Sequence, residues 1–234
     1  MRSLGLPNCR SSRPVVEQLE TRNVLSSATF AVSSGIVKSP ENFTDFVTRE
    51  YLSLLHRTPD PGGLNHFVTQ LESGMSPEFV EAGIVASDEY FGDHGNTNTG
   101  WLNGVYQDLL GRAPDSSGLD HWLSKLAGGE STLGVASEIT SSSERDAIVI
   151  GQDYASFLGR AARPDEVNAW LARFQQGETR ASVAAGILAS DEFFADANNT
   201  PSTFIVHVYQ DVLHRTPNSS EVLFWMRVYF PPRG

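Results

Sequence analysis

The sequence predicts an all-α protein, a tandem array of three-helix repeats of about fifty residues, three full and one partial, behind a disordered N-terminal segment. Three observations carry that reading. A tyrosine precedes an arginine by six residues four times over: Tyr51/Arg57, Tyr106/Arg112, Tyr154/Arg160 and Tyr209/Arg215. A large aromatic, Phe67, Trp122, Trp170 or Trp225, follows each arginine by ten. Between arginine and aromatic stands a proline followed directly by Asp60, Asp115, Asp165 or Asn218. Independent helices would not keep two spacings through four copies. The boundaries read as 1–40 for the leading segment, 41–95, 96–147 and 148–197 for the full repeats, and 198–234 for the partial one.

Taken in order, residues 1–40 stand apart in character. They hold Arg2, Arg10, Arg13 and Arg22, many serines and no helical period. Their apolar material is broken by Pro7 and by Ser26-Ser27, which is too interrupted for the apolar core of a secretory signal peptide.

The first helix of each repeat carries apolar pairs four residues apart, such as Trp101-Leu102, Val105-Tyr106 and Leu109-Leu110, the mark of a packed amphipathic helix. It stops at the arginine and proline, since proline is poorly tolerated inside a helix. The aspartate after the proline is placed to cap the second helix, which bears Leu119, Trp122, Leu123 and Leu126 in the second copy. That helix ends at Gly74, Gly129 or Gly177, the usual residue for a left-handed cap. Ser76, Ser131 or Thr179 then opens a third helix, which runs to Ser87-Asp-Glu-Tyr-Phe91 in the first copy and Ser190-Asp-Glu-Phe-Phe194 in the third. The second copy departs here, with Ser142-Ser-Glu144-Arg145-Asp146.

Successive arginines are 55, 48 and 55 residues apart. The long intervals contain polar linkers at 92–99 and 196–202; the short one has none, so copies two and three are expected to be rigidly coupled. Copy four lacks a third helix, which predicts an apolar face covered by another chain or by more of an array, and possible self-association through the incomplete repeat.

The pattern Tyr-x5-Arg-x-Pro-Asp-x-x-Gly-Leu-x-x-Trp, followed by Gly and Ser-x-Glu-Phe, resembles domain of unknown function 4214 over roughly residues 43–230. Copies three and four depart from it, with Glu166-Val167 and Glu221-Val222 at the Gly-Leu pair. The resemblance implies a helical module found in secreted and surface proteins, distantly similar to phycobilisome linker domains. The segment containing Leu19, Glu20, Arg22, Leu25 and Ser26 is similar to the Leu-Glu-x-Arg-x-Leu-Leu-Ser motif of exported and surface bacterial proteins, which implies an envelope address.

Composition excludes several classes of partner. The net charge of −11 with no basic stripe makes nucleic acid and anionic membrane surfaces poor partners. A single cysteine, Cys9, rules out an intrachain disulfide and a cysteine-based zinc site. No run of 18 apolar residues spans a bilayer.

Among candidate sites, Arg57, Arg112, Arg160 and Arg215 read as a structural clamp, satisfying the last carbonyls of the first helix and pairing with the following aspartate. A bidentate site for an anionic sugar is the rival reading. Calcium candidates are Asp60 with Asn65 and Asp115 with Asp120, two oxygen side chains five residues apart around a glycine. Calcium wants six to eight oxygens, so N-capping is favoured there. His56, His66, His121 and His214 recur but show no metal-ligand spacing. Trp122, Trp170 and Trp225 belong to apolar rows and read as core.

No catalytic motif is present. An enzyme would need a deep polar pocket with convergent carboxylates lacking counterparts in the sister repeats. The expected function is therefore a non-enzymatic extracellular or envelope scaffold or adhesion module without a cofactor. Its expected partners are other envelope or extracellular proteins or surface glycans. A calcium- or glycan-binding module is the alternative.

Overall fold

The computed structural model describes the backbone of residues 15–231 and the side chains of residues 25–231. Within those residues the chain forms fourteen helices and no strand. A leading helix, α1 (Val15–Val37), is followed by unit one, with α2 (Pro40–Leu54), α3 (Pro61–Glu72), α4 (Pro77–Val85) and α5 (Asp88–Asp93). Unit two has α6 (Asn98–Leu110), α7 (Ser116–Ala127) and α8 (Thr132–Thr140). Unit three has α9 (Ser143–Leu158), α10 (Pro164–Phe174), α11 (Arg180–Leu188) and α12 (Asp191–Asp196), and unit four α13 (Pro201–Leu213) and α14 (Ser219–Tyr229).

The helix boundaries follow from local chemistry. Each first helix ends on a left-handed residue directly before the signature arginine: His56, Gly111, Gly159 and His214, with φ of 53°, 68°, 62° and 51°. In units one to three the second helix is followed by Gly74, Gly129 or Gly177 at φ of 95°, 96° and 91°, the left-handed position expected of them.

The third helix is shorter than its sequence pattern implies. The Ser87 hydroxyl accepts the Tyr90 N–H at 3.2 Å and restarts the chain as α5, and Ser190 does the same for α12 through Phe193. At Ser142 and Ser39 the restarted helix does not stop. It runs on as α9 and α2, each of which serves as the first helix of the next unit. The 48-residue interval is explained: units two and three share one continuous helix, the rigid coupling expected there.

The N-terminal segment departs from expectation. Residues 15–37 are helical, and Ala28, Val32, Ile36 and Val37 are buried, so the disordered stretch anticipated over 1–40 does not hold for them. Residues 1–14 lie outside the described residues. The helix α1 is the third helix of unit four. It packs on α11 as α4 packs on α8, and it also meets α13 and α14. Gly35 faces Trp225 of α14 just as Gly186 of α11 faces Trp170 of α10.

With α6 against α9 and α2 against α13, the four units close into a ring. The chain's own N-terminal helix thus supplies the third helix that the incomplete repeat lacked. The apolar interior includes Trp101, fully buried, whose indole N–H donates to the Val85 carbonyl at 2.6 Å and ties unit two to the end of α4.

Candidate functional site

Each signature arginine does one job four times. Its guanidinium lies over the ring of the tyrosine six residues earlier, 5.0–5.1 Å from the centroid. It also grips one glutamate through two parallel bonds of 2.5–2.8 Å: Arg57 to Glu89, Arg112 to Glu144, Arg160 to Glu192 and Arg215 to Glu41. Hydrogen bonding to arginine holds all four carboxylates below their ordinary range. In three units the glutamate is 32 residues downstream; in the fourth it is 174 residues upstream, across the ring closure.

The clamp therefore differs from the one expected. The partner is this glutamate and not the aspartate, since Arg57 and Asp60 approach only to 3.9 Å. The carbonyl bound is that of the residue after the arginine, Thr58, Ala113 or Ala161. Asp60 and Asp115 are N-caps as expected, accepting N–H bonds from Gly62 and Gly63 and from Gly118. Asp165 is not a cap. Pro164 already opens α10, which leaves Arg163 at the cap position and Asp165 exposed.

In unit four Asn218 is the N-cap as expected, accepting from Ser220 and Glu221, and in both units three and four a glutamate replaces the glycine of the Gly-Leu pair. Glu166 accepts the Arg163 backbone N–H at 2.8 Å and adds a second carboxylate to Arg160, and Glu221 does likewise for Asn218 and Arg215. The Arg160 guanidinium and the Arg163 N–H hold Glu166 down at about 2.

The aromatic ten residues on completes the unit. The indole N–H of Trp122, Trp170 or Trp225 donates to the hydroxyl of Tyr106, Tyr154 or Tyr209 at 2.8–3.0 Å, while Phe67 meets Tyr51 edge-on.

Of the calcium candidates, Asn65 and Asp120 are exposed, and Asp60 and Asp115 face their own helix N-termini. Among the described residues no three His, Cys, Asp or Glu side chains are grouped to hold a metal. Among the histidines, His66 bonds Gln70, and His56 and His214 are the helix-ending residues already named.

A second polar feature ties the units together, and no recurring spacing in the sequence announces it. Arg145 and Arg180 are both nearly buried and converge on the equally buried Glu81 at 2.9–3.2 Å. Arg145 also donates to the Leu109 carbonyl, and Arg180 to Asp146, Glu78 and the Thr140 carbonyl. Burial opposes the Arg180 charge, yet Glu81, Glu78 and Asp146 together raise its pKa further. Each buried charge is thus matched, as the low dielectric demands. The cluster joins α4, α8, α9 and α11, and so units one, two and three.

Beside it opens a cavity of ≈ 450 Å³ walled by α2, α4, α9, α11 and α13. Glu50 of α2 and Asp153 of α9 line it. Burial, with Glu81 nearby, pushes the Glu50 carboxyl up to about 7, and burial alone lifts Asp153 to about 7. The signal for all of this was present as departures from the repeat. Arg145 stands where Tyr90 and Phe193 stand in units one and three, three residues after the capping serine. Glu50 and Asp153 stand where units two and four have Val105 and Val208.

No helix among the described residues is long and apolar enough to cross a membrane. Neither the curated proteins nor the solved structures give a match to this chain. The family model described as Domain of unknown function (DUF4214) matches residues 22–94, 81–149 and 145–197. Its first match begins inside α1, in accord with that helix being part of a unit. These matches span well over half of the sequence, and the chain belongs to the DUF4214 family.

Proposed function

We propose that this protein is a non-enzymatic module of the cell envelope or extracellular space that acts by association, as a rigid helical scaffold for other surface components. The observation that carries this is the use made of the recurring polar residues. All four arginines, their glutamates and three tryptophan–tyrosine pairs are engaged with one another within the units or across their junctions, so recognition falls to the surface and interior that the units build jointly. The most exposed large apolar side chains, Leu223, Phe224 and Val228, lie on α14 and support an outward association role. The export-like segment supports the location; Leu19, Glu20 and Arg22 lie outside the described side chains, and Ser26 is exposed on α1.

Calcium or glycan binding by the Pro-Asp-x-x-Gly loops has less support, because Asp60 and Asp115 already accept backbone N–H groups. The central cavity comes nearest to the pocket an enzyme would need. Around it, however, no nucleophile is hydrogen-bonded to a base among the described residues, and recognition is the chemistry it supports.

The test is fractionation of cells producing the full chain, with in-cell crosslinking. Recovery from the envelope or medium, crosslinked to another surface component in a manner lost on Leu223→Ser/Phe224→Ser, is expected. Recovery from the cytosol alone would overturn the location, and a chain that crosslinks to nothing would overturn the scaffold role.

A further inference from the structure

The central cavity breaks the repeat in a directed way. At the position before the signature tyrosine, units two and four carry Val105 and Val208, both fully buried in the packing. Units one and three place Glu50 and Asp153 there, on the two helices that run unbroken through their junctions. Both carboxylates line the cavity, and among the described residues neither has a hydrogen bond or an ion pair. Both are half-buried, and they contrast with the glutamates elsewhere in the ring that are gripped by an arginine.

The neighbouring cations do not answer them. Arg145 and Arg180 are spent on Glu81, Glu78 and Asp146. Arg49 is exposed at the mouth, beside exposed Gln152 and Ser156. Asp211 of α13 and His214 directly after it add one further acid and one histidine to the wall. With Glu50 and Asp153 ionised, four acids (Glu50, Glu81, Asp153 and Asp211) stand in the lining against three arginines (Arg49, Arg145 and Arg180), and Phe43, Phe46 and Phe157 give it an apolar part as well. Its volume, ≈ 450 Å³, falls within the range of small-molecule sites.

We propose that this cavity binds a small aliphatic diamine, its ammonium groups received by Glu50 and Asp153 and its methylene chain by the phenylalanines. An aliphatic chain with a charge at each end matches a cavity whose lining combines two unpaired carboxylates with three phenylalanines. An inorganic cation matches less well, since it requires oxygens gathered at one point. The site stands apart from the export and scaffold reading and survives if that reading fails.

The ligand stays charged across neutral pH, so binding requires both carboxylates ionised. Empty, they hold protons to about pH 7 because burial disfavours their charge, with Glu81 reinforcing this at Glu50 and Arg145, Arg49 and Arg180 opposing it. Binding therefore strengthens as pH rises from 6 to 8 and releases protons.

Calorimetry of the full chain with 1,5-diaminopentane, in two buffers of different ionisation heat, tests this. The expected result at pH 8 is saturable one-to-one binding, weakened about tenfold or more at pH 6, where it is accompanied by proton release. Glu50→Gln and Asp153→Asn should each weaken it by about tenfold or more, whereas Asp120→Asn, an exposed carboxylate, should not. If either cavity variant fails to fold, Ser156→Trp at the mouth should block binding with the charges intact. No saturable heat at millimolar diamine and pH 8 overturns the proposal. So does binding that survives the cavity variants, which would mark a general attraction to an acidic surface.

Discussion

Units three and four make the same interlock from differently connected pieces of chain. In unit three, Arg160 meets Glu192 at 2.6 and 2.7 Å, and Trp170 bonds Tyr154 at 3.0 Å. In unit four, Arg215 meets Glu41 at 2.5 and 2.8 Å, and Trp225 bonds Tyr209 at 3.0 Å. A methyl group added at Gly186 would fall 2.7 Å from Trp170, and one at Gly35 would fall 2.6 Å from Trp225. The geometry is specified by the residues of a unit and is indifferent to how the chain connects them. What differs is the entropy of closure. Bringing together residues 174 apart instead of 32 apart costs about 1.5 kcal/mol more, on a logarithmic dependence on loop length. The seam made by α1 should therefore open before any other.

The largest effect should come from overpacking the two equivalent glycines. Gly35→Leu and Gly186→Leu each drive a side chain into an indole and should cost ~3 kcal/mol. If the comparison holds, Gly186→Leu lowers the melting temperature of the whole ring. Gly35→Leu instead frees α1, read out as proteolysis within residues 15–37 while the remainder stays folded. Equal, fully cooperative melting in both variants would show that the seam is no weaker than the rest.

A smaller effect tests the equivalent carboxylates of units one and three. Their folded pKa values are raised, so the native state holds protons that the unfolded chain has lost, and stability falls as pH rises from the ordinary carboxylate range towards about 7. Glu50→Gln and Asp153→Asn should each gain ~2 kcal/mol at pH 8 and nothing at pH 4 in urea titrations. The Arg–Glu locks have the opposite sign. Glu41, Glu192 and Glu166 have depressed values, so their contribution is complete above the ordinary carboxylate range and is lost as pH falls through the folded values, down to about 2 for Glu166. Hydrogen exchange recorded from pH 5 to pH 2 should show α1 losing protection ahead of α11. The smallest effect is at the helix ends: His56→Gly and His214→Gly relieve a left-handed residue and should each stabilise by ~0.5 kcal/mol, visible as a melting shift of a degree or two.

Much of the ring could be read from the sequence, because its tyrosines, arginines and tryptophans recur at fixed spacing and each spacing maps onto one contact. The closure was legible in principle. Gly35-Ile-Val-Lys-Ser-Pro-Glu41 repeats the wording of Gly83-Ile-Val-Ala-Ser-Asp-Glu89, but it sits at the end of a segment whose arginines and serines speak for something else. The break before α5 was hidden because a serine inside an apolar stretch caps a helix only if the chain turns there. The central cluster was harder still. Glu81 on α4 meets Arg145 on α9 and Arg180 on α11, 64 and 99 residues away along the chain, and no period connects them. Only a comparison of each unit with its sisters picks out Arg145, Glu50 and Asp153 as residues that the interlock does not require.

The closure of α1 onto α14 also fixes a number. An open solenoid tolerates one unit more or fewer, because each unit touches only its neighbours. Here the third helix of the last unit is supplied from before the first, and the two must meet. Inserting or deleting one unit between them would change the turn each junction has to make and pull Gly35 and Glu41 away from Trp225 and Arg215. The pairing of those four residues thus acts as a count, written into one chain, of how many units the ring contains.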